Sequence, residues 1–188
     1  MIDRYDIYMA GVGGQGIGLL AEVLVRAADR AGLAVKGCDT HGLAQRGGVV
    51  TSHLRIGKAA HSPLVSPGAA DLVIGLERHE ALRAAQGHLK EGGVLVWYDT
   101  VLQPLDVRLG AARAVSAAAV EEECGRRGAR AILVLREDLA DPRMQNVAIL
   151  AALAEHKLPP GLGREHIKAA LGDLMEGPAL ERNLALFE

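Results

Sequence analysis

The fold is decided by the stretch YDIYMAGVGGQG, residues 5–16. Its first half, Tyr5–Ala10, is short and mostly apolar, as in a buried strand, and a helical pattern begins at Ile17. The turn between them consists largely of glycine, and its notable residues are Gly11, Gly13, Gly14, Gln15 and Gly16. Because glycine tolerates positive φ and has no Cβ, the N–H groups at such a helix start can approach an anion closely. We therefore expect an anion-binding turn, and a purely structural turn is the alternative.

Strand and helix patterns alternate along the rest of the chain. Strands are predicted at 33–38, 48–56, 71–77, 94–98 and 131–135, with helices between most of them. The first helix and the strand at 33–38 complete a strand-helix-strand unit whose length suits parallel pairing. From Asp138 onward the pattern is helical. We expect Leu184 and Phe187 in the C-terminal tail to pack against the rest of the chain. The prediction is an α/β fold: a three-layer, Rossmann-like open sheet, mostly parallel, with a helical C-terminal region.

Composition limits the classes of function. With 188 residues, 49% of them hydrophobic and 23% charged, the chain is expected to form a single globular domain over 1–188. A net charge of −2 and an aromatic content of 3% argue against nucleic acid as a partner. Neither a signal peptide nor an apolar run of the ~20 residues that cross a bilayer is apparent. We expect a cytoplasmic protein with no membrane partner.

A second polar segment, THGLAQRGG at residues 40–48, lies between the second and third predicted strands. Ligands of open α/β sheets bind outside the carboxyl ends of the strands, so this segment and the glycine turn are expected on one rim, together with Glu77 and Asp99. The candidate binding residues in the segment are His41, Gln45, Arg46 and Gly47. A guanidinium such as that of Arg46 can donate two parallel hydrogen bonds to a phosphate or a carboxylate. The alternative is that Gln45 and Arg46 satisfy loop carbonyls while the glycines turn the chain.

Residues for catalysis or metal binding are not evident. His41, His53 and His61 have irregular spacing and no nearby acidic set, so we predict no metal site. The two cysteines, Cys38 and Cys124, cannot ligate an ordinary four-cysteine iron-sulfur cluster by themselves. A nucleophile beside a base is not recognisable either, and we predict no catalytic residue in this chain.

The chain resembles the gamma-type subunits of 2-oxoacid:ferredoxin oxidoreductases. The resemblance is carried by GVGGQG, by THGLAQRGG with its continuation SHLRIG, and by SPLV followed by ADLVIG. Within that family, the form HGLAQRGG is similar to the indolepyruvate branch. The resemblance spans essentially the whole chain and is most specific from Gly11 to Gly57.

The resemblance implies a non-catalytic subunit of an enzyme that converts arylpyruvates to aryl-acetyl-coenzyme A and passes electrons to ferredoxin. It implies a hetero-oligomer whose large subunit carries thiamine diphosphate and the iron-sulfur clusters, so the isolated chain is expected to be inactive. The rim of this chain would then complete the active-site cleft or hold the phosphates of coenzyme A. We base the coenzyme A hypothesis on the anion-suited turn and on Arg46, not on the resemblance.

Other interpretations remain open at the level of sequence. One is a gamma subunit for pyruvate, 2-oxoglutarate or branched-chain 2-oxoacids. Another is a free-standing NAD(P)-binding Rossmann oxidoreductase, because GVGGQG fits G-x-G-x-x-G and Asp39 follows at about the spacing of the ribose-binding acid. A third is a structural subunit without a ligand. Gln15 and the segment 40–48 favour the oxidoreductase subunit, since neither belongs to the ordinary dinucleotide fingerprint.

Overall fold

The structure, a computed structural model, describes residues 3–41, 48–102, 105–111 and 113–188. Its strands are β1 (Tyr5–Val12), β2 (Val35–His41), β3 (Val49–Ile56), β4 (Ala70–Gly75), β5 (Leu89–Tyr98) and β6 (Arg130–Val134). Its helices are α1 (Ile17–Arg30), α2 (Arg78–His88), α3 (Leu105–Arg108), α4 (Ala117–Arg126), α5 (Gln145–Glu155), α6 (Arg164–Gly172) and α7 (Gly177–Leu184). Short 3-10 turns at Pro142–Met144 and Ala185–Phe187 precede α5 and end the chain.

The strands form one six-stranded sheet in the order β2-β3-β1-β4-β5-β6. The neighbours β1, β4, β5 and β6 pair in parallel, whereas β3 is antiparallel to both β1 and β2. The sheet is therefore mixed but mostly parallel, and the predicted α/β class is confirmed. The parallel strands and β2 all end at one rim, where the connections predicted to form the site begin.

The pairing predicted for the second strand was wrong. Instead of lying beside β1, β2 is separated from it by β3 and forms the edge of the sheet. Two physical reasons account for this position. The connection from β2 to β3 is too short for a parallel crossover, which takes about a dozen residues or more, so these strands pair as a hairpin. Of the two arms, β3 carries the buried Leu54 and Ile56 and takes the inner place.

Helices cover both faces of the sheet and make three layers. On one face α1, α5 and α6 pack over a large apolar core that includes Ile7, Leu24 and Ile149. On the other face α2 and α4 enclose a smaller core around Trp97 and Ala81. The C-terminal region is helical, as predicted, and Phe187 returns to the larger core with 4% of its surface exposed.

Candidate functional site

The glycine turn joins β1 to α1 at the rim of the sheet. Gly14 and Gly16 have φ angles of 100° and 83°, in the left-handed region that favours glycine. Gly16 also caps α1, and a Cβ at this position would collide with the side-chain amide nitrogen of Asn146. The sequence of the turn is thus required by backbone conformation at Gly14, and by conformation and close packing at Gly16.

Gln15 fastens the turn to the neighbouring strand. Its side chain is buried, and its Oε1 accepts a hydrogen bond from the Val12 N–H at 2.7 Å. Its Nε2 donates to the Leu76 carbonyl, also at 2.7 Å, just beyond the end of β4. This geometry gives Gln15 a structural part in the turn, and the ligand contact expected for it from the sequence stays a prediction.

The ends of the second motif lie beside the same turn. His41 is the last residue of β2, and Val49, the first residue of β3, pairs with Val12. The N–H of Gly13 donates to the Gly48 carbonyl at 2.8 Å. Gln45, Arg46 and Gly47 lie outside the described residues, so their contacts stay predictions. The described residues on either side of that segment, His41 and Gly48, lie at the rim.

A cavity of about 370 Å³ separates the glycine turn from the C-terminal helices. Gly14 and Gly16 line one side of it, and Asn146, Arg143 and Arg182 line the other. The first turn of α5 faces the start of α1, because Asn146 Nδ2 donates a long hydrogen bond of 3.4 Å to the Gly16 carbonyl. The N-terminus of a helix carries partial positive charge, and here two such ends come together.

The charges at this cavity are mixed, with an excess of cations. Arg143 donates to Asp141 at 2.6 Å, and mainly for this reason the pKa of Asp141 is lowered to about 2. Arg182 on α7 lowers that pKa further through its charge. Two guanidinium groups against one carboxylate, next to two helix starts, make an environment suited to an anion. The sequence analysis missed Arg143, Arg182 and Asn146, because they lie far along the chain and form no local motif.

Other rim residues stabilise the loops that follow β4 and β5. Glu77, with 1% of its surface exposed, caps α2 by accepting from the Glu80 N–H at 3.0 Å. It also accepts from the Leu102 N–H at 3.2 Å. His79 Nε2 accepts from the Val115 N–H, so its Nδ1 carries the proton that it shares with Glu77 at 3.0 Å. The predicted rim position of Glu77 is confirmed, and its contacts are structural.

The free-standing NAD(P) interpretation is not favoured by this arrangement. Asp39 lies within β2, where its carboxylate accepts a hydrogen bond from Ser52 Oγ. In a dinucleotide site the ribose-binding acid follows a strand adjacent to the first strand. Here β3 occupies that adjacent place, and it displaces Asp39 from the glycine turn.

Within the ranges that the structure describes, no three His, Cys, Asp or Glu side chains are grouped as metal ligands. Cys38 lies on the edge strand β2, and Cys124 is buried in α4, where burial raises the pKa of its thiol to about 11. Both thiols are free. No helix of the described parts has the length and apolar character needed to cross a membrane.

The mixed, mostly parallel sheet with helices on both faces defines an α/β domain, and its glycine turn lies at one rim of the sheet. The chain belongs to the pyruvate ferredoxin/flavodoxin oxidoreductase family, whose model matches residues 6–188. It is 34% identical to indolepyruvate oxidoreductase subunit IorB of Archaeoglobus fulgidus over 185 residues, which cover 96% of this chain and 90% of that protein. It is 31% identical to the subunit of the same name from Pyrococcus horikoshii, over 98% of this chain and 93% of the relative. The family resemblance seen in the sequence is confirmed.

Solved structures share the fold at lower identity. Pyruvate oxidoreductase subunit PORC of Thermotoga maritima superposes with a TM-score of 0.67 at 19% identity, over 100% of this chain and 94% of that one. A 2-oxoglutarate:ferredoxin oxidoreductase from Magnetococcus marinus gives a TM-score of 0.71 at 19% identity. This chain is covered completely in that match and corresponds to 30% of the longer chain.

Proposed function

We propose that this chain is the non-catalytic subunit of a thiamine-dependent oxidoreductase for indolepyruvate and related arylpyruvates, and that its glycine rim holds phosphate groups of coenzyme A. The relatives from Archaeoglobus and Pyrococcus, both named as indolepyruvate oxidoreductase subunits, support the first part. The observation that carries the second part is the cavity between the glycine turn and α5, with Arg143 and Arg182 on its wall.

Coenzyme A suits this cavity by its charge. Its diphosphate and ribose phosphate are anions that guanidinium groups and helix N-termini bind well. A volume of about 370 Å³ accommodates a phosphate-bearing portion, and the remainder of the cofactor would extend along the open rim. The Magnetococcus structure, which shares this fold, is described with 2-oxoglutarate, coenzyme A and succinyl-CoA bound. A substrate carboxylate is the second anion that fits the same chemistry.

The redox chemistry belongs to a partner. We assign thiamine diphosphate and the iron-sulfur clusters to a large subunit, since two cysteines are fewer than an ordinary four-cysteine cluster requires. Electrons then leave the hetero-oligomer to ferredoxin. A cytoplasmic location agrees with free thiols, because the cytosol keeps cysteines reduced.

Replacement of a cavity cation tests this function in the assembled enzyme. Arg182→Ala should raise the Michaelis constant for coenzyme A by roughly ten- to a hundredfold, the usual effect of losing a charge-assisted hydrogen bond. The control is Arg26→Ala, which removes an exposed arginine of α1 that is paired with Glu22 and does not line the cavity. Steady-state kinetics with an arylpyruvate and a viologen dye give the Michaelis constants for coenzyme A and for the 2-oxoacid.

The outcomes separate the possible occupants. If only the Michaelis constant for the 2-oxoacid rises, the cavity binds the substrate carboxylate. Unchanged constants for both substrates would refute an anion site at this rim. An enzyme that does not form from the chain and its co-expressed large subunit would refute the subunit assignment itself.

A further inference from the structure

The helix α7 is the least firmly held wall of the cavity beside the glycine turn. All eight of its residues lie in the described part of the chain, and none of them is buried. Another wall, α5, is mostly buried, including Asn146 and Val147 at the cavity itself. A helix with few buried contacts opens at a lower free-energy cost than a helix fixed in the core. Of these two walls, α7 is therefore the one suited to movement.

Two apolar side chains hold α7 against the rest of the chain. Leu180 and Leu184 are half-buried and pack on the larger core. The amide of Asn183 donates to the Ala179 carbonyl at 2.9 Å, within the helix, and to Met175 Sδ at 3.4 Å, just before it. Among the described residues, no side chain of α7 forms a hydrogen bond or an ion pair with α1 or α5. Polar contacts across the cavity therefore do not fix the helix in place.

The start of α7 has the properties of a hinge. Leu171 in α6 is buried, and its carbonyl accepts from the Met175 N–H at 3.0 Å, whereas Phe187 anchors the other end with 4% of its surface exposed. Between these fixed points Gly177 begins the helix with a φ of 58°, and a Cβ there would meet no described atom within 4 Å. Glu176, the N-cap residue, provides no side-chain cap. A few residues at the end of an element commonly absorb the rotation when a lid moves.

Two polar groups of α7 lack partners among the residues that the structure describes. The guanidinium of Arg182 lines the cavity and forms no ion pair there, whereas Arg143 is held by Asp141. The side-chain oxygen of Asn183 is buried without a donor, and it cannot exchange places with the amide nitrogen, which faces two acceptors. A buried acceptor without a partner is destabilising. A shift of the helix that gives these groups partners would thus be favourable.

From these observations we infer that α7 is a lid, which turns about Gly177 and closes over an anion bound at the glycine turn, with Arg182 as the side chain that holds it shut. This inference rests on the proposed function, which supplies coenzyme A as the ligand. A ligand shifts a conformational equilibrium only through contacts that differ between the two states. The contact between Arg182 and a phosphate, made in the closed state, is that difference.

Hydrogen exchange of the assembled enzyme, the chain with its co-expressed large subunit, tests the lid with coenzyme A as the probe. Without coenzyme A, the amides of α7 should exchange faster than those of α5. Saturating coenzyme A should slow α7 by roughly tenfold or more, the effect of one charge-assisted hydrogen bond made on closure, and leave the core of α5 unchanged. Arg182→Ala should abolish the slowing. Glu181→Ala is the matched control, because this exposed neighbour does not line the cavity, and it should keep the slowing.

The outcomes separate the lid from the binding site. If coenzyme A slows exchange at the glycine turn but not in α7, or if α7 exchanges as slowly as α5 without coenzyme A, the lid is overturned and the proposed phosphate site stands. Slowing that persists in Arg182→Ala at saturating coenzyme A would also overturn the inference, because another contact would then close the helix. If coenzyme A changes exchange neither at the turn nor in α7, the proposed function of the rim fails first.

Discussion

Gly14 and Gly16 have similar backbone conformations but different surroundings. Among the described residues, a Cβ at Gly14 would have no atom within 4 Å, whereas one at Gly16 would meet Asn146. Strain at a positive φ costs about 1–2 kcal/mol for a residue with a Cβ. We therefore expect Gly14→Ala to lower the free energy of unfolding by about that amount and Gly16→Ala to lower it further.

Urea unfolding of the isolated chain measures both effects. Gly18→Ala is the matched control, since this helical glycine has no positive φ and a Cβ there would meet no atom of the described part of the chain within 4 Å. Alanine is favoured over glycine in a helix by about 1 kcal/mol, so the control should be neutral or stabilising. Equal losses at Gly14 and Gly16 would show that Asn146 does not restrict the turn.

Arg46 remains the motif residue with the strongest case for a functional contact. Arg46→Ala removes the guanidinium but keeps the glycines that follow, so the chain should stay folded while turnover of the assembled enzyme falls roughly ten- to a hundredfold. Kinetics of the complex, together with its stability in gel filtration, check this prediction. If turnover, both Michaelis constants and assembly all stay at wild-type values, Arg46 is only a loop residue.

The candidate site was predictable from sequence only in part, for a physical reason. The glycine turn is local, because residues adjacent in the chain specify the positive φ angles at Gly14 and Gly16. Arg143 and Arg182 reach the same cavity through packing of α5 and α7, and no short pattern encodes that contact. For Gln15 the sequence suggested a contact to a ligand, whereas both polar atoms of its side-chain amide form hydrogen bonds with the backbone of the chain.

The local sequence pattern predicted the type and approximate position of the helices and strands. It did not predict which strands lie next to each other in the sheet. Strand and helix positions follow periodicity, and Ser116 caps α4 through the Ala119 N–H at 3.2 Å, as a serine before a helical pattern suggests. The order of strands is a tertiary property. It depends on which hairpin arm buries more apolar surface, and that comparison favoured β3 over β2.

A cluster of aromatic rings joins β1, β3 and α2 and should make stability depend on pH. Tyr8 stacks on His88 with ring centroids 3.7 Å apart, and His53 meets Tyr8 edge-on at 4.9 Å. Burial lowers the pKa of both histidines, and the charge of His53 adds to the shift at His88. Protonation of His53 at Nδ1 would also cost the hydrogen bond that this atom accepts from the Val65 N–H.

The sign of the effect follows from these shifts. A histidine whose pKa is lowered on folding binds more protons in the unfolded state, so stability decreases as pH falls below the unfolded value of about 6.5. We expect the free energy of unfolding to be lower at pH about 5.5 than at about 7.5. His88→Phe keeps an aromatic ring against Tyr8 and should reduce that difference. An identical pH dependence in the variant would exclude His88 as a contributor.

For the whole molecule, the proposed function is that of a subunit whose chemistry is completed on a partner. The isolated chain should be colourless, free of iron and thiamine diphosphate, and inactive toward indolepyruvate with a viologen acceptor. It should also bind NAD or NADP weakly at best, because Asp39 is held in β2 away from the glycine turn. Metal analysis and a nucleotide titration by calorimetry test these expectations. Brown protein with stoichiometric iron, or dissociation constants in the micromolar range, would contradict them.

The hairpin of β2 and β3 sets a limit on how far the THGLAQRGG motif can extend. Both of its ends are tied to the sheet, His41 through β2 and Gly48 through the hydrogen bond from Gly13. An extended chain advances at most about 3.5 Å per residue, so a segment of this length that leaves and returns reaches only about 10 Å beyond the rim. A longer connection, or one anchored at a single end, could bend toward a distant reaction centre. This tether is too short for that, so the proposed function requires the catalytic centre of the partner to approach the rim when the enzyme assembles.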